Sequence, residues 1–359
     1  MNGKLSEFQK KIEENEFSAF LISNVTNVYY FVNFLSHSYA YLIVYPDESP
    51  TLLVPELEYE DALNSVKTAE IVKIDRNTEV LDALKVVLED KQINELGFEE
   101  DSMTVKFYFD FTEKCEFLQM KKGSALIEEL RITKIPQEIE KIRKACQIAE
   151  IGFSTAINSM DEGKTEIEIA AEVEYAMRKG GSEATPFDTI IASGYRSAYP
   201  HGTSSRKKIE RGDLIIIDLG AKYEGYCSDM TRTVVFGEPS QKQLDVYRNV
   251  LKAHHEAIKE CSIGKKAVEI EEITREILSK EGYNEYFVHS LGHGVGLDVH
   301  EAPHIAKNSQ DILHENTVFT IEPGVYIPGF GGVRIEDVVV LTKQGAKCLT
   351  KADYSIKME

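Results

Sequence analysis

The sequence has no Cys-x-x-Cys pair, no long apolar run and no excess of basic charge, and each absence excludes a class of protein. Its cysteines, Cys115, Cys146, Cys227, Cys261 and Cys348, are odd in number and scattered, which fits neither a disulfide framework nor a thiolate zinc site. Unpaired cysteines belong to a reducing compartment. The longest apolar runs, such as Tyr39 to Tyr45, fall far short of the ~18 residues of a membrane span. The opening stretch MNGKLSEFQKKIEENEF is charged throughout and has no apolar signal-peptide region, so a cytoplasmic location is expected. The net charge of -19 argues against nucleic acid, whose phosphates need a basic face, and against an anionic membrane.

What is present is enough chain for two domains: 359 residues, at about 150 per domain. Leu5, Phe8 and Ile12 fall at helical spacing. Short β-rich runs follow at 19–23, 39–45, 51–55 and 70–74, with a helical pattern at 79–90. Alternating strands and helices predict an α/β domain over 1–123, in which the lone His37 reads as a surface or packing residue. Residues 124–134 read as a linker helix. Pro136 suits the first turn of the long helix that opens a second domain over 135–359. That domain holds a weak repeat, GKTEIEIAAEVEYAMRKGG at 163–181 against GKKAVEIEEITREILSKEG at 264–282. Each copy opens on Gly-Lys, is amphipathic and stops at Gly. Two such halves place a site between them; the alternative is chance likeness of two amphipathic helices.

The chemistry-bearing residues lie in strand-like contexts of the second domain. In DLIIIDLG, Asp218 ends a buried run, where a carboxylate costs several kcal/mol unless paired or metal-bound. In GYCSDMTRTVVF, Cys227, Asp229 and Thr231 would share one strand face, and two strands and a turn would bring Asp229 beside Asp218. Glu322 ends the apolar TVFTIEPG. In GGVRIEDVVVL, Arg334 and Glu336 project together, about 6.6 Å apart along the strand. The stretch HSLGHGVGLDVHEAPH adds His289, His293, His300 and His304, with glycines that let the backbone approach a ligand. Two Asp, two Glu and one His form an oxygen-rich set that suits Mn(II) and similar cations. Four carboxylates exceed what one divalent ion needs, and they match two cations about 3.5–4 Å apart.

With FDTIIASGYRSAYPHG at 187–202, DLGAKYEGYCSDMTRT at 218–233, TIEPGVYIP at 320–328 and GVRIED at 332–337, the chain resembles the pita-bread metallopeptidases that cut Xaa-Pro bonds. That family includes prolidase, aminopeptidase P and methionine aminopeptidase. The resemblance implies an α+β protein: a small N-terminal α/β, creatinase-like domain before a pita-bread catalytic domain with pseudo-two-fold symmetry. It implies two divalent metal ions, Mn or Co, with Zn or Fe as alternatives. Asp218 would bind one through both oxygens, Asp229 and Glu336 would bridge, and His293 and Glu322 would complete the second. Glu322 would also serve as general base for a water acidified by the cations. His201 and His300 would stabilise the oxyanion and hold the prolyl residue, Arg334 would orient the bridging carboxylates, and Phe187 and Val299 would line the proline pocket. For Phe187 and Val299 plain packing is the alternative, and His289 and Cys227 read as structural. A small peptide substrate and a homodimer are expected by the same resemblance. Prolidases of this type often carry Arg where His304 stands here, to clamp the substrate's carboxylate. The implied activity is thus Xaa-Pro dipeptidase, with Xaa-Pro aminopeptidase on longer peptides as the alternative and a non-catalytic binding module as a remote one.

Overall fold

The computed structural model describes residues 3–357, and the chain divides into two compact units between Leu130 and Arg131. The first unit is built on a mixed sheet of β1 (Ala19–Ile22), β2 (Tyr41–Val44), β3 (Thr51–Pro55), β4 (Glu70–Ile74), β5 (Glu95–Phe98) and β6 (Gln119–Lys122). Their spatial order is β4-β3-β2-β1-β5-β6. β1 is buried at every position, as a strand covered on both faces must be. The helices are α1 (Gly3–Glu14), α2 (Val25–Val32), α3 (Tyr59–Ser65), α4 (Val80–Asp90) and α5 (Val105–Lys114), and α6 (Ser124–Ile132) crosses the boundary. α1 buries Leu5, Phe8 and Ile12, the stripe its spacing predicts. Leu21, Ile43, Leu53, Leu84, Leu88 and Phe111 form much of one core. His37 is exposed, and its backbone N–H donates to the Glu58 carboxylate at 3.2 Å. Among the described residues, every cluster of side chains competent to hold a metal lies in the second unit.

The second unit opens on α7 (Pro136–Ser159), with Pro136 in the first turn and the Glu138 carboxylate accepting the Ile135 N–H at 2.8 Å. α8 (Glu166–Lys179) leads to β7 (Ile190–Ser193), β8 (Leu214–Leu219), the short hairpin β9 (Lys222–Tyr223) and β10 (Tyr226–Cys227), and β11 (Met230–Val235). Then α9 (Gln241–Glu260) and α10 (Ala267–Lys280) precede β12 (Gly292–Gly294), β13 (Glu301–Ile305), β14 (Val318–Ile321), β15 (Gly324–Ile327), β16 (Gly331–Arg334), β17 (Asp337–Thr342) and β18 (Gly345–Cys348). The sheets run β11-β8-β7, β13-β12-β14-β17-β18 and β15-β16. No helix among the described residues is long and apolar enough to cross a membrane.

The repeat is structural. The Gly163 N–H donates to Ile209 O and the Gly264 N–H to Leu313 O, at 3.0 and 2.8 Å. Ile209 and Leu313 answer with N–H bonds to Lys164 O and Lys265 O. Farther on, Gly212 and Asn316 both take positive φ, 91° and 65°, and donate to Phe236 O and Leu341 O, each at 2.8 Å. These matched pairs make α8–β8–β11 the counterpart of α10–β14–β17. Asp218, one residue before the end of β8, therefore corresponds to Glu322, just beyond β14.

Candidate metal centre

Asp218 sits in a strand buried at all six positions and pairs opposite Thr231 of β11. The run expected to carry Cys227, Asp229 and Thr231 on one face is broken. β10 ends at Cys227 and β11 begins at Met230, because the Ser228 N–H turns to Ala221 O at 2.9 Å and closes a loop. Asp229 projects from that break. The single strand expected through Arg334 and Glu336 also divides. β16 pairs with β15, β17 joins the five-stranded sheet, and Ile335 and Glu336 make the crossing, with the Glu336 N–H on Thr231 O at 3.0 Å. Arg334 and Glu336 still line one cavity.

His293 lies on β12, its N–H on Thr320 Oγ1 at 3.1 Å, beside a register shift between His293 and Gly294. Glycine is required next to it: a Cβ on Gly292 would sit 2.0 Å from Thr320 O, and one on Gly294 2.1 Å from Ala302 O, both backbone atoms. Gly292→Ala is expected to cost about 3 kcal/mol of stability, because the obstructing atom cannot rotate away. A melting temperature equal to that of the parent would show that β12 can shift at no cost.

A cavity of about 520 Å³ gathers Asp218, Asp229, His293, Glu322 and Glu336 on its wall. One ligand-competent atom from each of Asp218, Asp229 and Glu336 lies within 4.8 Å of the others, and so do those of His293, Glu322 and Glu336. The His293 Nε2 is 3.4 Å from Glu322 Oε1 and 3.7 Å from Asp229 Oδ2. Burial, then the charges of Glu336, Asp218 and Glu322, push the Asp229 carboxyl well above its usual range. Burial and the Glu336 charge do the same to Glu322. Glu336 is pushed up to about 8 by burial and Asp218. Burial and the neighbouring His300 lower His293 to about 4, which keeps the imidazole neutral and free to ligate.

These residues fit divalent cations. Asp218 Oδ1 is buried with no hydrogen-bond partner, and Arg334, on Asp218 Oδ2 at 2.5 Å, is the one cation among the cavity's lining residues. Four crowded carboxylates against one guanidinium leave an uncompensated negative charge that paired cations would neutralise.

Of the other sequence-derived residues, His201, His300 and Phe187 line the cavity, His201 and His300 exposed and Phe187 half-buried. His300 also groups with Asp229 and His293 within 4.8 Å. His304 lines this cavity and a second one, of about 570 Å³, that shares His289, Ser290 and His304 with it. Val299 departs from expectation. It is half-buried but not on the cavity wall, and its backbone hydrogen-bonds the His293 ring. His289 bonds Tyr326 OH at 2.9 Å. Two supports escaped the sequence reading. Tyr326 OH accepts from Arg334 Nη1 at 2.7 Å. Thr231 Oγ1 donates to Glu336 Oε2 at 2.7 Å and accepts from Arg334 Nε at 3.1 Å. A hydroxyl in a buried strand needs a partner, and that was the available signal.

The chain matches the model of metallopeptidase family M24 over residues 140–343, and that of the creatinase/prolidase N-terminal domain over 4–133. It is 46% identical to the Xaa-Pro dipeptidase of Pyrococcus furiosus over 99% of this chain and 100% of that one. The crystal structure of the prolidase from Pyrococcus horikoshii superposes with a TM-score of 0.94 at 44% identity, covering 99% of this chain and 100% of that one. An X-Pro aminopeptidase structure from Thermotoga maritima gives 0.89 at 37%, over 97% and 99%. A full-length fold shared at these identities, with the acidic cavity in its second unit, settles the family. The chain belongs to metallopeptidase family M24, as a hydrolase with a creatinase/prolidase N-terminal domain ahead of its metal-dependent catalytic domain.

Proposed function

We propose that this protein is a two-metal Xaa-Pro dipeptidase that cleaves dipeptides ending in proline. The supporting observation is the crowding of three buried carboxylates, a half-buried fourth and one neutral imidazole on a cavity of dipeptide size. The names of the relatives that match it end to end at 44–46% identity support the substrate class. Asp218, Asp229, His293, Glu322 and Glu336 would hold the cations, Mn or Co, with Zn or Fe as alternatives. Bound cations supply Lewis acidity to a water and to the scissile carbonyl.

The side chains do the rest. Glu322, at the cavity wall, takes the water's proton and passes it to the prolyl nitrogen, which leaves only once protonated. His201 and His300 donate hydrogen bonds to the carbonyl oxygen as its charge develops. Arg334 holds Asp218 through Nη2, and Phe187 offers a wall for the pyrrolidine ring. A homodimer in the cytoplasm is the expected setting.

The second cavity favours one further reading, an Xaa-Pro aminopeptidase. Its walls of Glu271, Arg275, Lys307 and Asp311 lie past His304 and leave space for residues after proline. Comparing Ala-Pro with Ala-Pro-Pro, with metals titrated, decides between the two. His304→Arg should shift the preference toward the dipeptide by about tenfold, because a guanidinium grips a carboxylate in a fork where imidazole cannot. An unchanged ratio would show that residue 304 does not read the substrate's end.

A further inference from the structure

Behind the carboxylates stands a second buried charge network that the proposed reaction does not use. Arg232 is 1% exposed and is the largest fully buried side chain among the described residues. Its Nη1 donates to Thr231 O at 3.0 Å and to Glu336 O at 2.6 Å. The two acceptors lie on opposite sides of the repeat, one on β11 and the other at the entry to β17. The rest of the guanidinium faces the C-terminal segment. Nε reaches Ala352 O and Asp353 O at 3.3 and 3.2 Å, and Nη2 reaches Ala352 O at 2.9 Å and Asp337 Oδ1 at 2.7 Å. Asp337 also accepts from Thr350 Oγ1 and, at 2.7 Å, from Tyr354 OH, and its Oδ2 is 3.0 Å from His254 Nε2. The Tyr354 ring packs on the guanidinium at 4.5 Å, and its carbonyl accepts from Tyr247 OH at 2.5 Å. The Val235 N–H on Ile356 O, at 2.8 Å, fixes the far end of the segment.

We propose that the C-terminal segment Thr350–Ile356 is a working part of the metal centre, and that Arg232 is its positioning residue. Arg232 ties the segment to the two backbone carbonyls that set how far apart Asp229 and Glu336 emerge. This rests on the reading of those two carboxylates as metal ligands. The physical reason is economy of freedom. The break before β11 and the sheet crossing at Glu336 leave both ligands on irregular backbone, which no strand ladder fixes. Nη1 of one planar guanidinium, bonded to both carbonyls, adds to the Glu336 N–H bond on Thr231 O in supplying that constraint, while the other two nitrogens anchor the segment, an arrangement that a lysine would not reproduce. Outer partners of this kind change metal affinity by about 10–100-fold when removed.

Arg232→Lys and Tyr354→Phe test it. The second variant removes one hydroxyl and keeps the ring, so it leaves a folded protein. Cobalt(II) affinity by chelator competition, the visible absorption of the bound cobalt, and the melting temperature of the chelated protein are measured for each, with Lys357→Ala as control. The expected result is a loss of about tenfold or more in cobalt affinity for Arg232→Lys, a smaller loss for Tyr354→Phe, and altered cobalt absorption in both. Affinity and absorption within twofold of the parent, with only the chelated protein's melting temperature lowered, would reduce the segment to plain packing and overturn the proposal. If the parent binds cobalt but cleaves no Ala-Pro, the proposed activity fails and the positioning result still stands on its own.

Discussion

Asp229→Ala is expected to lower kcat/KM for Ala-Pro by about 10³-fold or more while raising the melting temperature of the chelated protein. The two effects have one origin. Asp229 is 5% exposed, its carboxyl is pushed up by burial and by Glu336, Asp218 and Glu322 against a smaller opposing pull from Arg334, and His293, 3.7 Å away, is held neutral. With cations present the carboxylate would be a ligand, and without them it is a buried carboxyl whose ionisation among like charges destabilises the fold. Asp229→Ala should thus trade function for stability. Turnover near that of the parent would remove Asp229 from the site. A lower melting temperature in the chelated variant would mean that the carboxylate has a partner even without metal.

Chelation should also make the protein's stability strongly pH-dependent. Glu336 titrates at about 8 in the fold against an ordinary 4.5, and Asp229 and Glu322 move in the same direction. The folded state therefore binds more protons than the unfolded one. Its stability is fully present below pH 4.5 and is lost as pH rises through 8. Each kcal/mol lost lowers the melting temperature by about 2–4 °C in a domain of this size, so a fall of about 5 °C or more is expected between pH 5 and 8. The metal-loaded protein should lack this slope, because cations favour the charged carboxylates. Parallel melting curves for chelated and loaded protein across that range would show that the five side chains do not share a metal site.

Much of this was legible from residue order. Leu5, Phe8 and Ile12 marked α1, TLLVP and EIVKI became β3 and β4 without a shift, and the Gly-Lys repeats appeared as matched halves. The acidic residues that converge were each readable as a carboxylate where a strand should be apolar. What stayed hidden has physical causes. Val25–Val32, rich in β-branched and aromatic residues, shows no clear helical stripe and received no element from the sequence. It is a helix because the Asn24 side chain accepts the Thr26 N–H at its start and Asn33 takes the left-handed conformation at its end. The breaks at Ser228–Asp229 and Ile335–Glu336 follow from long-range bonds, to Ala221 and Thr231, that no local pattern announces. Val299 was expected at the pocket from the resemblance alone, yet its side chain is half-buried away from the cavity wall.

The dispersal of the five donors also bears on how the molecule matures. Asp218 and Asp229 come from the first half-repeat, and His293, Glu322 and Glu336 from the second, so neither half carries the proposed ligand set by itself. On the proposed reading the full ligand set would assemble only once β17 and the segment over Arg232 have docked, so metal uptake would report on completed folding of the second unit.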